Sequence, residues 1–341
     1  MAENEEKLTV EQENPDVPDT GDVAESIEQT VAGDIPADGK PTRRGRIAKK
    51  DRKADKKDGK DKKKKIKLPI VILVIIIALV AVVGVSSVID SNKLEKRFYQ
   101  VKSNKVTDNI RIVCLSDMHL KEFGKNNETL IHEVKKLGPD IIALVGDMNL
   151  ENQPDNYGMV TDLCLKLDEI APVYYSLGNH EIDAMLFHGS NIYKDIKKAG
   201  IKILNNETET ITVGATTIDI IGLTQNPVEF EEYGKEFFDK AMSESNHFKL
   251  VLNHYPEQFF GTFDDYEIDL MLAGHTHGGQ VRLPWIGGLY AADQGFFPQL
   301  CDGYHEVGDS RLLISRGLGK SGIVPRIFNK PEIMIVDIGW Y

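Results

Sequence analysis

Residues 110–119 read Ile-Arg-Ile-Val-Cys-Leu-Ser-Asp-Met-His, an apolar run that ends abruptly in polar side chains. Short runs of β-branched and aliphatic residues are typical of buried strands. Runs of the same form occur at 140–145 and 172–177, and between them residues 128–137 and 159–170 place apolar side chains at helical spacing. This alternation predicts parallel strands joined by crossover helices, which is the pattern of an α/β domain.

The rest of the domain carries more strands and fewer helices. One further helix is predicted near residues 231–242. Strands are predicted at 217–222, 248–252, 268–273, 311–315 and 332–338. Because these strands follow one another more closely than crossover helices allow, part of the sheet structure should be antiparallel or mixed.

Polar clusters follow five of the predicted strands. The carboxyl ends of strands in open α/β sheets are where ligands bind, so we expect these clusters to converge. Carboxylate, amide and imidazole donors together suit divalent transition metals such as Mn²⁺, Fe²⁺ or Zn²⁺. A single Asp-x-His arises easily by chance, but an ordered series at strand ends does not. The clusters contain Asp117, His119, Asp147, Asn179, His180, His254, His275 and His277.

This ordered series resembles the calcineurin-like metallophosphoesterase superfamily, and residues 274–284 resemble its bacterial membrane-associated branch. The matching segments are Asp117-x-His119, Gly146-Asp147, Gly178-Asn179-His180-Glu181, His254 and Gly274-His275-x-His277. The resemblance implies a four-layer α/β/β/α sandwich of two mixed sheets. It also implies two divalent metal ions, with Mn, Fe or Zn as the expected identities.

The resemblance further assigns roles to these residues. One metal is expected on Asp117, His119 and His277. The second is expected on Asn179, His254 and His275, with Asp147 bridging the two. A metal-bridging hydroxide would attack phosphorus in line, and His180 would assist the leaving group.

Two arginines are candidates for binding the phosphate of the substrate. Arg282 and Arg316 both lie in segments that resemble the family, and a guanidinium offers a forked set of donors to phosphate oxygens. The alternative for each is a surface salt bridge.

Charge is distributed very unevenly along the 341 residues, whose formal net charge is −12. Residues 1–39 are acidic, 40–67 carry a net +12, 68–89 carry no charge, and 90–341 carry a net −13. A charge-free apolar run of this length matches the roughly 20 residues that a helix needs to cross a bilayer. The sequence therefore predicts a tail at 1–67, a transmembrane signal anchor at 68–89, a connector with the first strand at 90–108, and a catalytic domain at 109–341.

The basic flank predicts the orientation of this anchor. Positively charged flanks stay in the cytoplasm, so the domain that follows the span is expected outside the cytoplasm in the cell membrane. A cleaved signal peptide, cut after Ser86, is the competing interpretation. The long leader and the long apolar run favour an uncleaved anchor.

The predicted function is a membrane-anchored phosphodiesterase whose partners are the lipid bilayer and a phosphoester substrate. One alternative is a phosphomonoesterase acting on lipid or nucleotide phosphates. Another is an inactive metal-stabilised binding module, which is disfavoured because no ligand or catalytic position is replaced. A nucleic-acid-binding protein is disfavoured by the −13 charge of the domain and by the lack of aromatic residues among the lysines.

Overall fold

The apolar run at 110–115 forms strand β2 (Ile110–Leu115) in a computed structural model that describes residues 67–224, 226–283, 285–291, 293–320, 322 and 324–339. All of the predicted tail except Lys67 lies outside the described residues. Alternate side chains of β2 enter two different cores. Ile112 and Cys114 face the second sheet, whereas Val113 and Leu115 face the helices. Burial on both faces explains why the run is apolar throughout instead of alternating.

The first sheet has six strands in the order β1-β16-β2-β3-β4-β5. β2 to β5 are parallel, β16 runs antiparallel to β2, and β1 runs parallel to β16. Besides β2, its strands are β1 (Glu95–Lys102), β3 (Ile141–Val145), β4 (Val173–Ser176), β5 (Lys202–Ile203) and β16 (Glu332–Gly339).

The second sheet also has six strands, in the order β14-β15-β9-β8-β7-β6. Its four central strands are parallel and its two edge strands are antiparallel to their neighbours. The strands are β6 (Glu207–Val213), β7 (Thr216–Leu223), β8 (Phe248–Asn253), β9 (Leu270–Ala273), β14 (Gly303–Val307) and β15 (Ser310–Ile314). Two short hairpins pair β10 (Arg282–Leu283) with β11 (Gly287–Gly288), and β12 (Tyr290–Ala291) with β13 (Gly295–Phe296).

Seven α-helices occur in the described part of the chain. They are α1 (Leu68–Asn92), α2 (Glu128–Leu137), α3 (Gly158–Asp168), α4 (Asn179–His188), α5 (Ile192–Lys198), α6 (Pro227–Glu229) and α7 (Lys235–Ser243), with a π turn at Phe230–Gly234 between the last two.

Three hydrophobic cores separate four layers. The first lies between α2, α3 and α5 and the first sheet, the second lies between the two sheets, and the third lies between the second sheet and α7 with its π turn. The predicted four-layer α/β/β/α arrangement with two mixed sheets is confirmed. Edge strands β5, β6 and β14 were not predicted, because their polar or alternating sequences carry little hydrophobic signal.

Helix α1 is set apart from the other helices by its exposure. It is 25 residues long, and none of its most apolar 18-residue window is buried. In length and composition it is the one helix of the described residues that could cross a membrane. Ser87 is its one buried residue.

Candidate metal centre

Polar side chains from both sheets meet at one edge of the domain, beyond the carboxyl ends of β2, β3, β4, β8 and β9. The backbone N–H of His275, from the second sheet, donates to Asp117 Oδ1 of the first sheet at 2.9 Å. His254 Nδ1 lies 2.9 Å from the carbonyl oxygen of Val145, which again joins the two sheets. The predicted convergence of strand ends is therefore present in the structure.

Seven of the eight predicted residues fall into groups whose donor atoms lie within 4.8 Å of one another. One group consists of Asp117, His119 and His277. In it His119 Nε2 lies 3.0 Å from His277 Nε2, and His277 Nε2 lies 3.5 Å from Asp117 Oδ1. In the group that contains Asp147, His254 and His275, His254 Nε2 lies 3.2 Å from Asp147 Oδ2. The groups are Asp117, His119 and His277; Asp147, His254 and His275; and His119, Asp147 and His180.

The eighth residue, Asn179, begins helix α4 directly after β4. Its side-chain Oδ1 is buried and has no hydrogen-bond partner among the described residues. Asn179 and His275 border the same cavity, together with Asp293. Asp293 Oδ2 lies 2.8 Å from His275 Nε2, a contact that leaves His275 Nδ1 as the nitrogen free to bind a cation.

These donors fit divalent metal ions. Two nitrogen or oxygen donors, each about 2.1 Å from one ion, lie roughly 3.0 to 3.4 Å apart at octahedral to tetrahedral angles. The separations of 3.0, 3.2 and 3.5 Å are close to that spacing. In addition, Asp117 Oδ2 and Asn179 Oδ1 are buried and make no hydrogen bond within the described residues. Buried polar atoms of this kind are costly unless something binds them, so the site has the properties of a dimetal centre.

The protonation states of the imidazoles also favour metal binding. Burial lowers the pKa of His119 to about 4 and moves the pKa of His277 well below its ordinary value, so both rings are neutral ligands at pH 7. Burial by itself would lower the pKa of His254, but the charge of Asp147 raises it to about 10. Burial would raise the pKa of Asp147, but the charge and hydrogen bond of His254, together with the neighbouring histidines, lower it well below its ordinary value. A metal cation would take the place of the proton that these two residues share.

His180 lies beside the metal groups and is less buried than they are. Its Nε2 lies 3.9 Å from Asp147 Oδ2, and its ring packs edge-on against His119 with the ring centroids 4.7 Å apart. The backbone N–H of Glu151 donates to His180 Nδ1 at 3.4 Å. Nδ1 of His180 therefore faces Glu151, whereas Nε2 faces the metal groups.

The two arginines predicted to bind phosphate are both engaged in ion pairs. Arg282 Nη1 lies 2.9 Å from Asp302 Oδ1 and donates to the carbonyl oxygen of Gly278. Arg316 is buried, and it bonds Glu332 and Glu95. Both arginines form ion pairs, but that of Arg316 lies in the interior and not at the surface. A role in phosphate binding stays a prediction for both residues.

Glu181 connects the metal-binding segments and was given no role from the sequence. It is fully buried and accepts three backbone N–H bonds, from Asp147 at 2.8 Å, Asn149 at 2.8 Å and Gly178 at 2.9 Å. Burial and then the charge of Asp147 raise the pKa of this carboxyl. Its position in Gly-Asn-His-Glu was the available signal, but the partners are 32 and 34 residues away and cannot be read from the motif.

Arg326 is a second residue that sequence reasoning missed. The side chain is 1% exposed, and it donates through Nε to Gly319 and through Nη2 to the carbonyl oxygen of Arg316 at 2.6 Å. Its Nη1 is buried and has no partner among the described residues. Burial lowers the pKa of Arg326 to about 10, so the guanidinium stays charged at neutral pH. No motif surrounds Arg326, and only the fold shows that it borders the same cleft as His119 and His180.

Several known proteins are similar in sequence to this chain. The metallophosphoesterase YkuE of Bacillus subtilis (strain 168), described as uncharacterized, is 28% identical over 264 residues, which are 73% of this chain and 87% of YkuE. The phosphodiesterase YaeI of Escherichia coli (strain K12) is 29% identical over 233 residues, 67% of this chain and 82% of YaeI. YkoQ of Bacillus subtilis (strain 168), another uncharacterized metallophosphoesterase, is 29% identical over 231 residues, 67% of this chain and 83% of YkoQ.

The model of the calcineurin-like phosphoesterase family matches residues 110–279. That interval begins at the first residue of β2 and ends just after His277, so it contains every predicted metal donor. Because the matched segment, the two-sheet fold and the grouping of the donors agree, the chain belongs to the calcineurin-like metallophosphoesterase superfamily and is a metal-dependent phosphoesterase.

Proposed function

We propose that this protein is a membrane-anchored phosphodiesterase that uses two divalent metal ions. The main support is that seven donor residues from five strand ends converge into groups with the spacing of metal ligands. Preference for a diester is supported by the similarity to YaeI, whose name describes it as a phosphodiesterase. The mixed oxygen and nitrogen donors favour Mn, Fe or Zn over Mg or Ca.

The groups support the proposed ligand sets, and Asn179 is added because its unpartnered Oδ1 is buried and it borders the same cavity as His275. Asp117, His119 and His277 would hold one ion. Asn179, His254 and His275 would hold the other, and Asp147 would bridge the pair. Asp147 suits this position because its Oδ2 lies 3.7 Å from His119 Nε2 and 3.2 Å from His254 Nε2, between the two groups.

Two bound cations would supply a water of lowered pKa and would neutralise the charge on the phosphoryl oxygens. The chain itself must then deliver a proton to the leaving oxygen. His180 is placed for this step, because its Nε2 faces the metal groups and lies 3.9 Å from Asp147 Oδ2, while Nδ1 faces Glu151. The backbone N–H of His180 donates to Asp147 Oδ1 at 2.9 Å, which fixes the ring relative to the bridging carboxylate.

The anchor is proposed to span the cell membrane with residues 40–67 in the cytoplasm and the catalytic domain outside it. The length and apolar composition of α1 support a span, and the +12 charge of the preceding segment supports this orientation.

The experiment is hydrolysis of bis(p-nitrophenyl) phosphate by the full-length protein in detergent, with Mn²⁺, Fe²⁺ or Zn²⁺ added to chelator-treated enzyme. We expect metal-dependent turnover. Asp147→Asn should abolish it with loss of bound metal. His180→Ala should lower kcat by a factor of about 10² to 10⁴ while bound metal is retained.

His132→Ala is the matched control, because His132 lies on α2 outside the three donor groups. Its turnover should equal that of the wild type. Absence of metal-dependent turnover in the wild type, or full activity in both site variants, would refute the proposal.

A further inference from the structure

A cleft of about 860 Å³ joins the metal centre to the end of the apolar helix α1. His119 and His180 line one part of it, and Ser87, Val88 and Ser91 of α1 line another. The residue placed to protonate the leaving group and the last turns of the predicted membrane span therefore face the same space.

The position of α1 against the cleft is fixed by short connections. Two residues, Lys93 and Leu94, separate the end of α1 from the start of β1, and β1 pairs with β16 along its whole length. Lys121, two residues after His119, donates from Nζ to the carbonyl oxygen of Ser91. Ser87 is buried against the domain. The span therefore continues directly into the sheet that carries four of the seven predicted metal ligands.

The cleft lies at the depth where the helix leaves the hydrocarbon core. The charge-free run ends at Ile89, and about 20 residues suffice to cross a bilayer core of about 30 Å. Ser87 and Val88 belong to the last turn of that run. This wall of the cleft accordingly lies at the level of lipid headgroups when α1 spans the membrane.

Cationic side chains outnumber anionic ones in the cleft. Lys121, Lys320 and Arg326 line it, with Glu151 as the acidic lining residue within the described chain. The buried Arg326 Nη1 still lacks a partner there. A buried guanidinium hydrogen-bond donor without an acceptor is costly, and a phosphate oxygen is the acceptor that suits it best.

We propose that the substrate is a glycerophospholipid of the leaflet that faces the domain, that it reaches the metal centre through this cleft, and that Arg326 binds its phosphate through Nη1. The inference rests on the proposed phosphodiesterase function and adds the substrate class and a binding residue to it. The product would leave by the same route, since the cleft opens beside α1.

The test uses the full-length protein reconstituted in vesicles of phosphatidylglycerol and phosphatidylcholine, with Mn²⁺. Turnover of vesicle phosphatidylglycerol is compared with turnover of bis(p-nitrophenyl) phosphate and of short-chain dihexanoyl-phosphatidylglycerol kept below its micelle concentration. We expect kcat/KM for the vesicle lipid to exceed that for the short-chain lipid at least tenfold.

A larger side chain on the α1 wall of the cleft should block lipid entry without changing attachment to the membrane. It therefore distinguishes entry through the cleft from an effect of membrane attachment alone. Val88→Trp should lower the ratio of vesicle-lipid to bis(p-nitrophenyl) phosphate turnover at least tenfold. Ile89→Trp is the matched control, because Ile89 has similar exposure on the same turn but does not line the cleft. It should leave both activities unchanged.

The role of Arg326 is tested by inhibition with inorganic phosphate. Arg326→Ala should raise Ki at least tenfold and raise KM more than it lowers kcat. Arg326→Lys retains the charge but not the forked donors and should show an intermediate Ki, which gives an answer even if the alanine variant does not fold. An unchanged Ki in Arg326→Lys would overturn the assignment. If Arg326→Ala folds, an unchanged Ki in that variant would overturn it as well.

The two proposals fail in different ways. If bis(p-nitrophenyl) phosphate is hydrolysed but the vesicle lipid is not preferred, or if Val88→Trp behaves like Ile89→Trp, the lipid inference is wrong and the phosphodiesterase function stands. If no substrate is hydrolysed with any metal, the proposed function fails and the inference falls with it.

Discussion

Five of the seven predicted metal ligands have a left-handed backbone. The φ angles are 49° for Asp117, 47° for His119, 54° for Asp147, 72° for His275 and 50° for His277. For residues other than glycine this conformation costs about 1 to 2 kcal/mol each. Strained residues of this kind cluster at functional sites, where the surrounding structure holds them in place. Here the strain turns side chains at strand ends toward a common centre.

At the residue scale, Gly178 is required because a side chain would displace the bridging carboxylate. A Cβ added at Gly178 would lie 2.3 Å from Asp147 Oδ1. We expect Gly178→Ala to weaken metal binding by roughly 10- to 100-fold, the usual effect of disturbing the support of a ligand. Bound metal after dialysis, measured by mass spectrometry, checks this. Gly158→Ala, which has open space around its Cβ, should bind metal like the wild type.

The shared proton of His254 and Asp147 predicts the pH dependence of metal binding. Without metal, the pKa of His254 is about 10, and a metal ligand must be unprotonated. Below pH 10 binding must therefore release a proton, so affinity rises with pH and falls as the pH drops. We expect the Mn²⁺ affinity to increase roughly tenfold per pH unit between pH 6 and 9. Calorimetry in buffers of different ionisation enthalpy measures this, and an affinity independent of pH would contradict it.

At the scale of elements, hydrogen bonds connect the segments that follow the different strands and hold the metal-binding edge of the domain together. Glu181, in the first turn of α4, accepts bonds from the segments that follow β3 and precede α4. Between the sheets, Asp117 accepts from the backbone of His275, and His254 bonds Val145. These contacts join turns from both sheets into one hydrogen-bonded site.

Replacing Glu181 should loosen that site. In Glu181→Gln the amide group faces a backbone N–H that previously met a carboxylate oxygen, which leaves a buried donor without an acceptor. We expect a loss of about 2 kcal/mol in the free energy of unfolding, together with weaker metal binding. Urea denaturation monitored by circular dichroism measures the first effect. Glu169→Gln, an exposed change at the end of α3, should stay within about 0.5 kcal/mol of the wild type.

At the scale of the whole molecule, the strand that follows helix α1 belongs to the catalytic domain. β1 pairs with β16 from Glu95↔Glu332 to Lys102↔Gly339, and Val101 and Val106 are buried in the core around the two sheets. Helix α1 thus leads into an edge strand of the first sheet without a separate linker domain.

Truncation tests whether the folded domain requires β1 but not helix α1. A chain that begins at Lys93 retains β1 and should fold. A chain that begins at Asn109 loses the burial of Val101 and Val106, worth about 3 kcal/mol or more. We expect its Tm to be lower by roughly 6 to 12 °C, as measured by calorimetry. Equal Tm values for the two chains would show that β1 is dispensable.

The candidate site could be predicted from the sequence to the extent that it consists of residues placed directly after buried strands. Asp117, Asp147 and His254 each follow an apolar run, and the ends of parallel strands converge. Glu181 and Arg326 could not be found in this way. Their importance arises from bonds to segments distant in the chain and from an unpartnered buried atom, and neither leaves a local pattern.

The sequence by itself determined the main strands and helices of this protein and the polar clusters that follow them, because hydrophobic periodicity records which faces are buried and strand ends record where polar groups collect. Only the tertiary structure decided how the two sheets register against each other, which arginine borders the catalytic cleft, and that α1 forms part of its wall. These features depend on contacts between residues far apart in the chain, whose energies come from packing and desolvation in the folded state and not from local preference.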